Sequence, residues 1–355
     1  MTRRRYVILA PERFAIDAKT AHGVIRYGED EVVAVVDPAC AGKRVRDVLP
    51  HLQSDAPIVG SVTEALRFAP TALLIGTAPR GGALPPDWRR AVLDAIEAKL
   101  EIVSGLHDLL GDDAEFHAAA RRSGTSIWDV RAAPDVPLFS GDAYAVQAPI
   151  LLMVGNDCAV GKMTVALELV RAAHEAGTNA RFVPTGQTGI MIAGWGISVD
   201  RVIADFAAGA AEQLVVQAAR DGSDLIVVEG QGAINHPAYA PVTLALMYGS
   251  AADGLVLVCD PSRAEIEDYG TPALGYRDLI VIHEALLATV KPANVIGVAL
   301  NTRGLSEAQA RKEIDRARRE TQLPVDDVVR FGADRFYRDL APRVVKRTPL
   351  ARAAR

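Results

Sequence analysis

Short aliphatic and β-branched runs alternate with longer amphipathic stretches along nearly the whole chain. Helical patterns such as residues 88–100 separate the runs. This alternation is typical of βαβ units on a parallel sheet, so we predict an α/β fold. In the first half, which we assign to a Rossmann-like domain over residues 1–133, the runs are YVILA (6–10), VVAVVD (32–37), PIVG (57–60), ALLIG (72–76) and EIVSG (101–105).

The pattern breaks in residues 134–149, PDVPLFSGDAYAVQAP, which are rich in proline and small residues and have no apolar periodicity. We therefore predict a linker there. A second domain, residues 150–355, follows with near-continuous apolar runs that are typical of strands buried on both faces of a doubly wound parallel sheet. Its runs are ILLMVG (150–155), ARFVPTG (180–186), DLIVVEG (224–230), GLVLVCD (254–260) and NVIGVALN (294–301). Residues 306–321 are predicted to form a polar helix capped by Ser306.

Composition narrows the class of protein. The 355 residues are 50% hydrophobic and 23% charged, as expected for an ordered globular chain. The net charge of −5 argues against nucleic-acid binding. No apolar stretch is long enough to cross a membrane or to resemble a signal peptide, and the three cysteines are widely spaced. We expect a cytoplasmic protein with reduced thiols that forms a homo-oligomer of unspecified size and acts on a small molecule.

The stretch GNDCAVGKMT, residues 155–164, follows one of the buried runs and precedes a helical pattern. This strand, loop, Gly-Lys and helix series predicts a phosphate-binding loop, because backbone N–H groups and a lysine ammonium would converge on an anion. The second domain is therefore predicted to be P-loop NTPase-like. The candidate cofactor-binding residues are Gly155, Asn156, Asp157, Cys158, Ala159, Val160, Gly161, Lys162, Met163 and Thr164.

Met163 departs from the usual phosphate loop, in which Ser or Thr follows the lysine and ligates Mg²⁺. A thioether is a poor ligand for this hard cation. Thr164 lies about 100° further around the helix and could replace that hydroxyl if the helix begins one residue late. If Mg²⁺ is used, Thr164 and Glu229 are its candidate ligands.

Two further segments lie at predicted strand ends, where open parallel sheets bind ligands. In TGQTGIMIAGWG (185–196), Gln187 and Thr188 are candidate substrate-binding residues, although a glycine-rich turn alone would also explain them. In VVEGQGAINHPAY (227–239), Glu229 occupies the place of a metal-binding or general-base carboxylate. His236 is a second candidate base or a structural hydrogen-bonding residue, and Gln231 is a third candidate substrate contact.

Three weaker candidates complete the sequence-based site. Asn301 ends the run NVIGVALN and has an amide that could recognise adenine. In the first half, Arg80 and His107 follow strand runs and either line a cleft or cap the sheet. No GxGxxG fingerprint follows the first run, so a dinucleotide site is not supported.

The motifs GNDCAVGKMT, TGQTGIMI and VEGQGAINHPAY closely resemble a bacterial family, formerly a domain of unknown function, now associated with DgcN-type D-glutamate N-acetyltransferases. The resemblance covers nearly the whole chain. It implies acetyl transfer from acetyl-CoA to the amine of D-glutamate or a similar amino acid, in D-amino-acid catabolism. In that reaction the loop and Lys162 would hold the pyrophosphate, and Glu229 or His236 would deprotonate the amine. Glu229, His236 and Lys162 are therefore the candidate catalytic residues.

The second domain is also similar to dethiobiotin synthetase-like proteins in its loop and its Val-Glu-Gly strand end. Those enzymes carry Thr after the loop lysine and a Lys-Pro pair at the next strand end, whereas this chain has Met163 and Val183-Pro184. An ATP- and Mg²⁺-dependent carboxylate-activating ligase is the main alternative. A nucleotide-binding switch protein without turnover is the third hypothesis.

Overall fold

The chain forms two compact α/β units. The computed structural model describes residues 3–346, apart from residues 78 and 80. The first unit comprises Met1–Ala133 and Gln187–Arg201, and the second comprises Pro134–Gly186 and Val202–Arg355. Each unit is built on a parallel sheet, which confirms the predicted fold class. No helix in the described part of the chain is long and apolar enough to span a membrane.

The first unit has a six-stranded parallel sheet in the order β3-β2-β1-β4-β5-β6, the order of a Rossmann fold. Its central strands are buried on both faces, which explains their continuous apolar runs. The strands are β1 (Arg5–Leu9), β2 (Glu31–Val36), β3 (Ile58–Val59), β4 (Ala72–Ile75), β5 (Glu101–Ser104) and β6 (Ile127–Asp129). The helices between them are α1 (Lys19–Tyr27), α2 (Val45–Val48), α3 (Val62–Ala65), α4 (Arg89–Glu97) and α5 (Ala114–Ser123).

The second unit also has six parallel strands, in the order β12-β11-β10-β7-β9-β8. The first strand of this sheet in chain order is the central strand β7, and later strands lie on both sides of it. A topological switch point therefore lies beside β7. Ligands of doubly wound sheets bind at the carboxyl ends of strands at such a point. The strands are β7 (Ile150–Gly155), β8 (Ala180–Val183), β9 (Leu225–Val228), β10 (Gly254–Cys259), β11 (Asn294–Leu300) and β12 (Val325–Asp326).

The helices of the second unit flank this sheet. The predicted polar helix is α11, and the hydroxyl of Ser306 accepts a hydrogen bond from the Gln309 amide while the Gln309 side chain returns to the Ser306 amide. This capping box fixes the start of the helix. The helices are α6 (Lys162–Glu175), α8 (Ala204–Arg220), α9 (Ala240–Gly249), α10 (Tyr276–Leu287), α11 (Glu307–Thr321) and α12 (Asp334–Leu340), whereas α7 (Gln187–Ala193) belongs to the first unit.

The segment Gln187–Arg201 groups with the first unit, whereas the sequence-based boundaries placed it in the second domain. Within the first unit, the Thr188 hydroxyl lies 3.1 Å from that of Thr20 in α1. The buried Arg131 guanidinium donates to the Gly105 carbonyl at 2.8 Å, to the Gln187 side-chain oxygen and to the Asp200 carboxylate. These polar contacts explain why the segment stays with the first unit.

The predicted linker is an ordered part of the second unit. The buried Glu212 carboxylate in α8 accepts backbone N–H groups of Ser140 at 2.6 Å, Gly141 at 2.8 Å and Ala143 at 3.1 Å. A side chain at Gly209 would place its Cβ only 1.9 Å from the Pro137 carbonyl oxygen. Glycine at this position therefore lets the segment lie directly on α8.

Candidate functional site

The phosphate-loop sequence forms the turn between β7 and α6. Gly161, immediately before the helix, has φ +108°, a left-handed conformation that favours glycine. Ala159 is also left-handed, with φ +55°. Among the described residues, no side chain caps the start of α6. The first N–H groups of the helix are thus left to an anion, for which the helix dipole adds positive potential.

Lys162, the first residue of α6, lies across the ends of β7 and β9. A Cβ atom at Gly155 would lie 3.2 Å from the lysine Nζ, and one at Gly230 would lie 3.1 Å from its Cδ. Nζ donates to the Asp157 carbonyl at 2.7 Å, and the residue is only 6% exposed. Burial lowers the pKa of Lys162 to about 8, against the opposing effect of Cys158 and Asp157. The amine is therefore poised to change charge near neutral pH.

Side chains of the loop hold it against β10 and the segment that follows. The Asn156 amide donates to the Asp260 carbonyl at 3.3 Å and accepts from the Asp260 N–H at 3.2 Å. The buried Asp157 carboxylate accepts from the N–H groups of Cys158 at 2.6 Å and Glu267 at 3.1 Å. Asn156 and Asp157 thus position the loop.

Asn301, at the end of β11, supports the loop from another direction. Its side-chain nitrogen donates to the Val160 carbonyl at 3.2 Å, and its oxygen accepts from the Arg303 N–H at 3.3 Å. Both halves of the amide are engaged in this structure. Adenine recognition by Asn301 remains a prediction.

The start of α6 also bears on the magnesium hypothesis. Because the helix begins at Lys162, Met163 and Thr164 are its second and third residues. Thr164 therefore lies about one helical step beyond the position where a hydroxyl follows the lysine in nucleotide hydrolases. Thr164 could replace the missing hydroxyl only if the helix began one residue later, and the helix does not begin there.

Glu229 follows β9 and faces the end of the neighbouring strand β8. It is 7% exposed, and its Oε2 accepts the N–H groups of Thr185 at 2.9 Å and Gly186 at 3.1 Å. Gln231 donates its side-chain N–H to the Thr185 carbonyl. The stem of Lys162 lies 3.1 Å from the Cβ position of Gly230, the residue after Glu229, so the two side chains share one strand edge. Gln231 shapes that edge, while its predicted role as a substrate contact stays a prediction.

His236 is a buried imidazole, 2% exposed, in the segment that precedes α9. Its Nδ1 accepts from the N–H groups of Ala238 at 3.2 Å and Tyr239 at 3.3 Å. Its Nε2 lies 4.0 Å from Asp157 Oδ1. The functional groups of His236 and the loop residues Asp157 and Cys158 therefore meet beside the phosphate loop.

Asp157, Cys158 and His236 also form a cluster that could hold a metal, since their ligand atoms lie within 4.8 Å of one another. A cation would need an unprotonated Nε2. However, backbone donors at Nδ1 leave the ring proton on Nε2. Burial also raises the pKa of the Cys158 thiol, which keeps it protonated at neutral pH. The cluster is thus better suited to hydrogen bonding than to metal binding.

Several predicted residues belong to the first unit or fall outside the described residues. Gln187 and Thr188 belong to the first unit, where they contact Arg131 and Thr20. His107 packs on Gly82, whose added Cβ would lie 2.5 Å from the ring, and burial lowers its pKa. Arg80 lies outside the described residues.

Three residues beside the loop were missed by the sequence-based prediction. Both side-chain polar atoms of Asn235 are buried and have no hydrogen-bond partner among the described residues. The rings of Tyr239 and Tyr269 lie 4.6 Å and 5.1 Å from that of His236. Asn235 and Tyr239 stand in the same NHPAY motif as the histidine, a signal that could have found them. Tyr269 had no comparable local signal.

Comparison with known proteins places this architecture in a family. Residues 137–337 match a model described as the P-loop domain DUF1611_C, and residues 38–133 match the Rossmann-like domain DUF1611_N, both of unknown function. The chain belongs to the DUF1611 family. This finding confirms the resemblance carried by the three motifs.

Relatives of this DUF1611 protein have similar lengths. A D-glutamate N-acetyltransferase from Tritonibacter scottomollicae is 34% identical over 94% of this chain and 96% of its own. Another protein of that name, from a Pseudoalteromonas species, is 35% identical over 79% of this chain and 84% of its own. The crystal structure of a DUF1611 family protein from Anabaena variabilis, 37% identical, superposes with a TM-score of 0.90 over 96% of this chain and 99% of its own.

Proposed function

We propose that the protein is an N-acetyltransferase that moves the acetyl group of acetyl-CoA to the amine of D-glutamate, in the catabolism of D-amino acids. The observation that carries this proposal is the similarity to two D-glutamate N-acetyltransferases over 94% and 79% of the chain. A similarity of this extent includes both units and the phosphate loop. The strand edge of the second unit provides residues suited to the reaction.

The phosphate loop supports coenzyme A as the ligand. Coenzyme A carries a pyrophosphate and a ribose phosphate, which need N–H donors and a cation but no hydrolysis. The uncapped start of α6 offers the donors, and Lys162 offers the cation. Met163 stands where a hydrolase has its magnesium-binding hydroxyl, and this is no defect in a loop that only binds phosphate.

Glu229 is the proposed general base. Acetyl transfer requires the ammonium of the amino acid to lose a proton before its nitrogen attacks the thioester carbonyl carbon. The carbon–sulfur bond then breaks, and the coenzyme A thiolate leaves and takes up a proton. The Glu229 carboxylate lies at the strand edge beside Lys162 and is held by two backbone N–H groups. Its position allows it to accept the amine proton.

Thiol release from acetyl-CoA tests the proposal directly. We expect the protein to release coenzyme A with D-glutamate and to form N-acetyl-D-glutamate, identified by mass spectrometry. L-Glutamate, D-aspartate and D-glutamine measure the choice of acceptor, and omission of the amino acid gives the background hydrolysis. Product formation with chelator present would show that Mg²⁺ is not needed.

A parallel reaction with ATP and Mg²⁺ distinguishes the ligase alternative. Phosphate release from ATP that depends on an amino acid, with no thiol release from acetyl-CoA, would contradict the acetyltransferase proposal. Binding of either ligand without any product would favour the switch protein. D- and L-glutamate reacting equally would leave acetyl transfer intact and contradict the proposed D-specificity.

A further inference from the structure

The imidazole of His236 is oriented by backbone donors at one of its two nitrogens. Nδ1 accepts from the N–H groups of Ala238 at 3.2 Å and Tyr239 at 3.3 Å. A backbone N–H cannot accept, so Nδ1 must present its lone pair. In a neutral imidazole the proton then resides on Nε2. His236 thus faces the phosphate loop with a hydrogen-bond donor rather than with a base.

The ring is also held in place on its faces. Tyr239 lies 4.6 Å away in a tilted arrangement, and Tyr269 lies 5.1 Å away in an edge-on arrangement. The residue is almost fully buried, so rotation of the ring would disturb both contacts and both backbone hydrogen bonds. The direction of the Nε2–H bond is therefore largely preset.

This N–H group has no partner within hydrogen-bonding distance in the part of the chain that the structure describes. The Asp157 carboxylate oxygen is 4.0 Å away, beyond the range of a hydrogen bond. Asp157 is already engaged by the N–H groups of Cys158 and Glu267, and Arg263 lies 3.6 Å from its second oxygen. His236 Nε2 is not among the fully buried polar atoms that lack a partner in the described residues, so this N–H group opens onto solvent beside the loop. An acceptor on a bound ligand can take the place of water there.

We propose that His236 donates its Nε2–H hydrogen bond to the carbonyl oxygen of the acetyl group during transfer. The inference rests on the proposed acetyltransferase activity and replaces the base hypothesis for this residue. An uncharged N–H donor suits the carbonyl oxygen of a thioester, which carries no net charge in the bound substrate. The bond strengthens as the oxygen becomes negative in the tetrahedral transition state, with Arg263 balancing the charge of Asp157.

Two substitutions of His236 distinguish the roles of its two ring nitrogens. The Asn side chain in His236→Asn places an oxygen where Nδ1 accepts from Ala238 and Tyr239, but it has nothing at Nε2. The longer side chain in His236→Gln places an N–H donor near Nε2. We expect kcat to fall about 100-fold in His236→Asn, with KM for acetyl-CoA changed by less than about threefold, and to stay within about tenfold of wild type in His236→Gln.

The alternatives give different results in the same assay. A base would be lost in both variants, so a folded His236→Gln protein as slow as His236→Asn would overturn the inference. A purely structural cap would be kept by Asn, so wild-type kcat in His236→Asn would overturn it too. Thermal melting of both variants establishes that they are folded.

Binding of unreactive analogues gives a second measurement that needs no turnover and no second variant. S-acetonyl-CoA keeps a ketone near the acetyl carbonyl position, and S-propyl-CoA has a methylene group in its place. Wild type is expected to prefer the ketone about threefold, and His236→Asn to show no preference. Equal preference in the two proteins, or none in wild type, contradicts the inference. Failure of the proposed function alone would appear instead as a ketone preference in wild type that His236→Asn abolishes, without thiol release on addition of an amino acid.

Discussion

The two units build the same kind of six-stranded parallel sheet, yet their polar groups are used differently. In the first unit, Arg131 is satisfied by Gly105, Gln187 and Asp200, and this network closes on itself. In the second unit, the loop after β7 leaves the start of α6 uncapped and places the Lys162 amine on a backbone carbonyl. The two sheets have similar strand orders, so the loops at the strand ends determine whether N–H donors there are paired within the protein or available to a ligand.

The largest expected effect is at the general base. Glu229→Gln should reduce kcat for acetyl transfer by about 100-fold or more, because an amide cannot take up the amine proton. Its side-chain oxygen can still accept from Thr185 and Gly186, so the affinity for acetyl-CoA should change by less than about threefold. Steady-state kinetics and calorimetric titration measure the two quantities. Glu168→Gln, at a buried glutamate of α6, is the matched control, and an equal loss of kcat there would contradict a specific role of Glu229.

The second prediction compares two buried lysines of the second unit. Lys162→Met should weaken acetyl-CoA binding by about 100-fold, since it removes a cation from the phosphate site without removing its aliphatic stem. Lys291 instead lies 2.6 Å from Asp253, which precedes β10. Lys291→Met should lower the free energy of unfolding by about 2 kcal/mol, because the buried Asp253 carboxylate loses its shorter ion pair and keeps Lys346 at 3.2 Å and the Ile150 N–H. The variant should leave binding within about threefold. Equal losses of acetyl-CoA affinity in the two variants would contradict a specific role of Lys162 in binding the phosphate.

The third prediction addresses the closed network of the first unit. Arg131→Met should lower the free energy of unfolding of that unit by about 2 kcal/mol, because Asp200 and Gln187 lose their buried partner. Amide hydrogen exchange in β5 and β6 measures the stability of this unit. Arg13→Met, which breaks an exposed pair with Asp17, is the control and should change stability by less than about 0.5 kcal/mol. Similar exchange rates in the two variants would mean that the network does not stabilise the unit.

The smallest effect is a pH dependence of binding. The pKa of Lys162 is about 8 in the free protein, and a bound phosphate raises the lysine pKa by stabilising the ammonium. The free protein loses the ammonium as the pH rises through 8, so binding then requires uptake of a proton. We expect the Kd of acetyl-CoA to rise about tenfold from pH 7 to pH 9. Titration calorimetry over this range tests the expectation, and a flat profile in wild type would contradict it. Lys162→Arg should bind with little pH dependence.

Much of the fold could be predicted because buried parallel strands leave uninterrupted apolar runs. Each of the ten predicted runs overlaps a strand of the structure. The strands without such a run are β6, Ile127–Asp129, and β12, Val325–Asp326, which are short and lie at sheet edges. These two strands are only three and two residues long and each includes an aspartate, so they leave no apolar run to detect.

The candidate site was predictable only in part. The place of Lys162 and Glu229 at strand ends follows from the parallel sheet and from the motif spacing. By contrast, the orientation of His236 depends on two backbone N–H groups and on Tyr269, which is distant in sequence. The membership of Gln187 in the first unit depends on its contact with Arg131. Side-chain roles set by such long-range contacts leave no periodic pattern.

The return of Gln187–Arg201 to the first unit has a practical consequence for dissecting the protein. A fragment that stops at Ala133 would lack Asp200, and the guanidinium of Arg131 would lose its counterion. Expression of the amino-terminal half by itself should therefore yield an insoluble or loosened product. Exchanging the first unit between homologues would therefore succeed only when Gln187–Arg201 is exchanged together with residues 1–133.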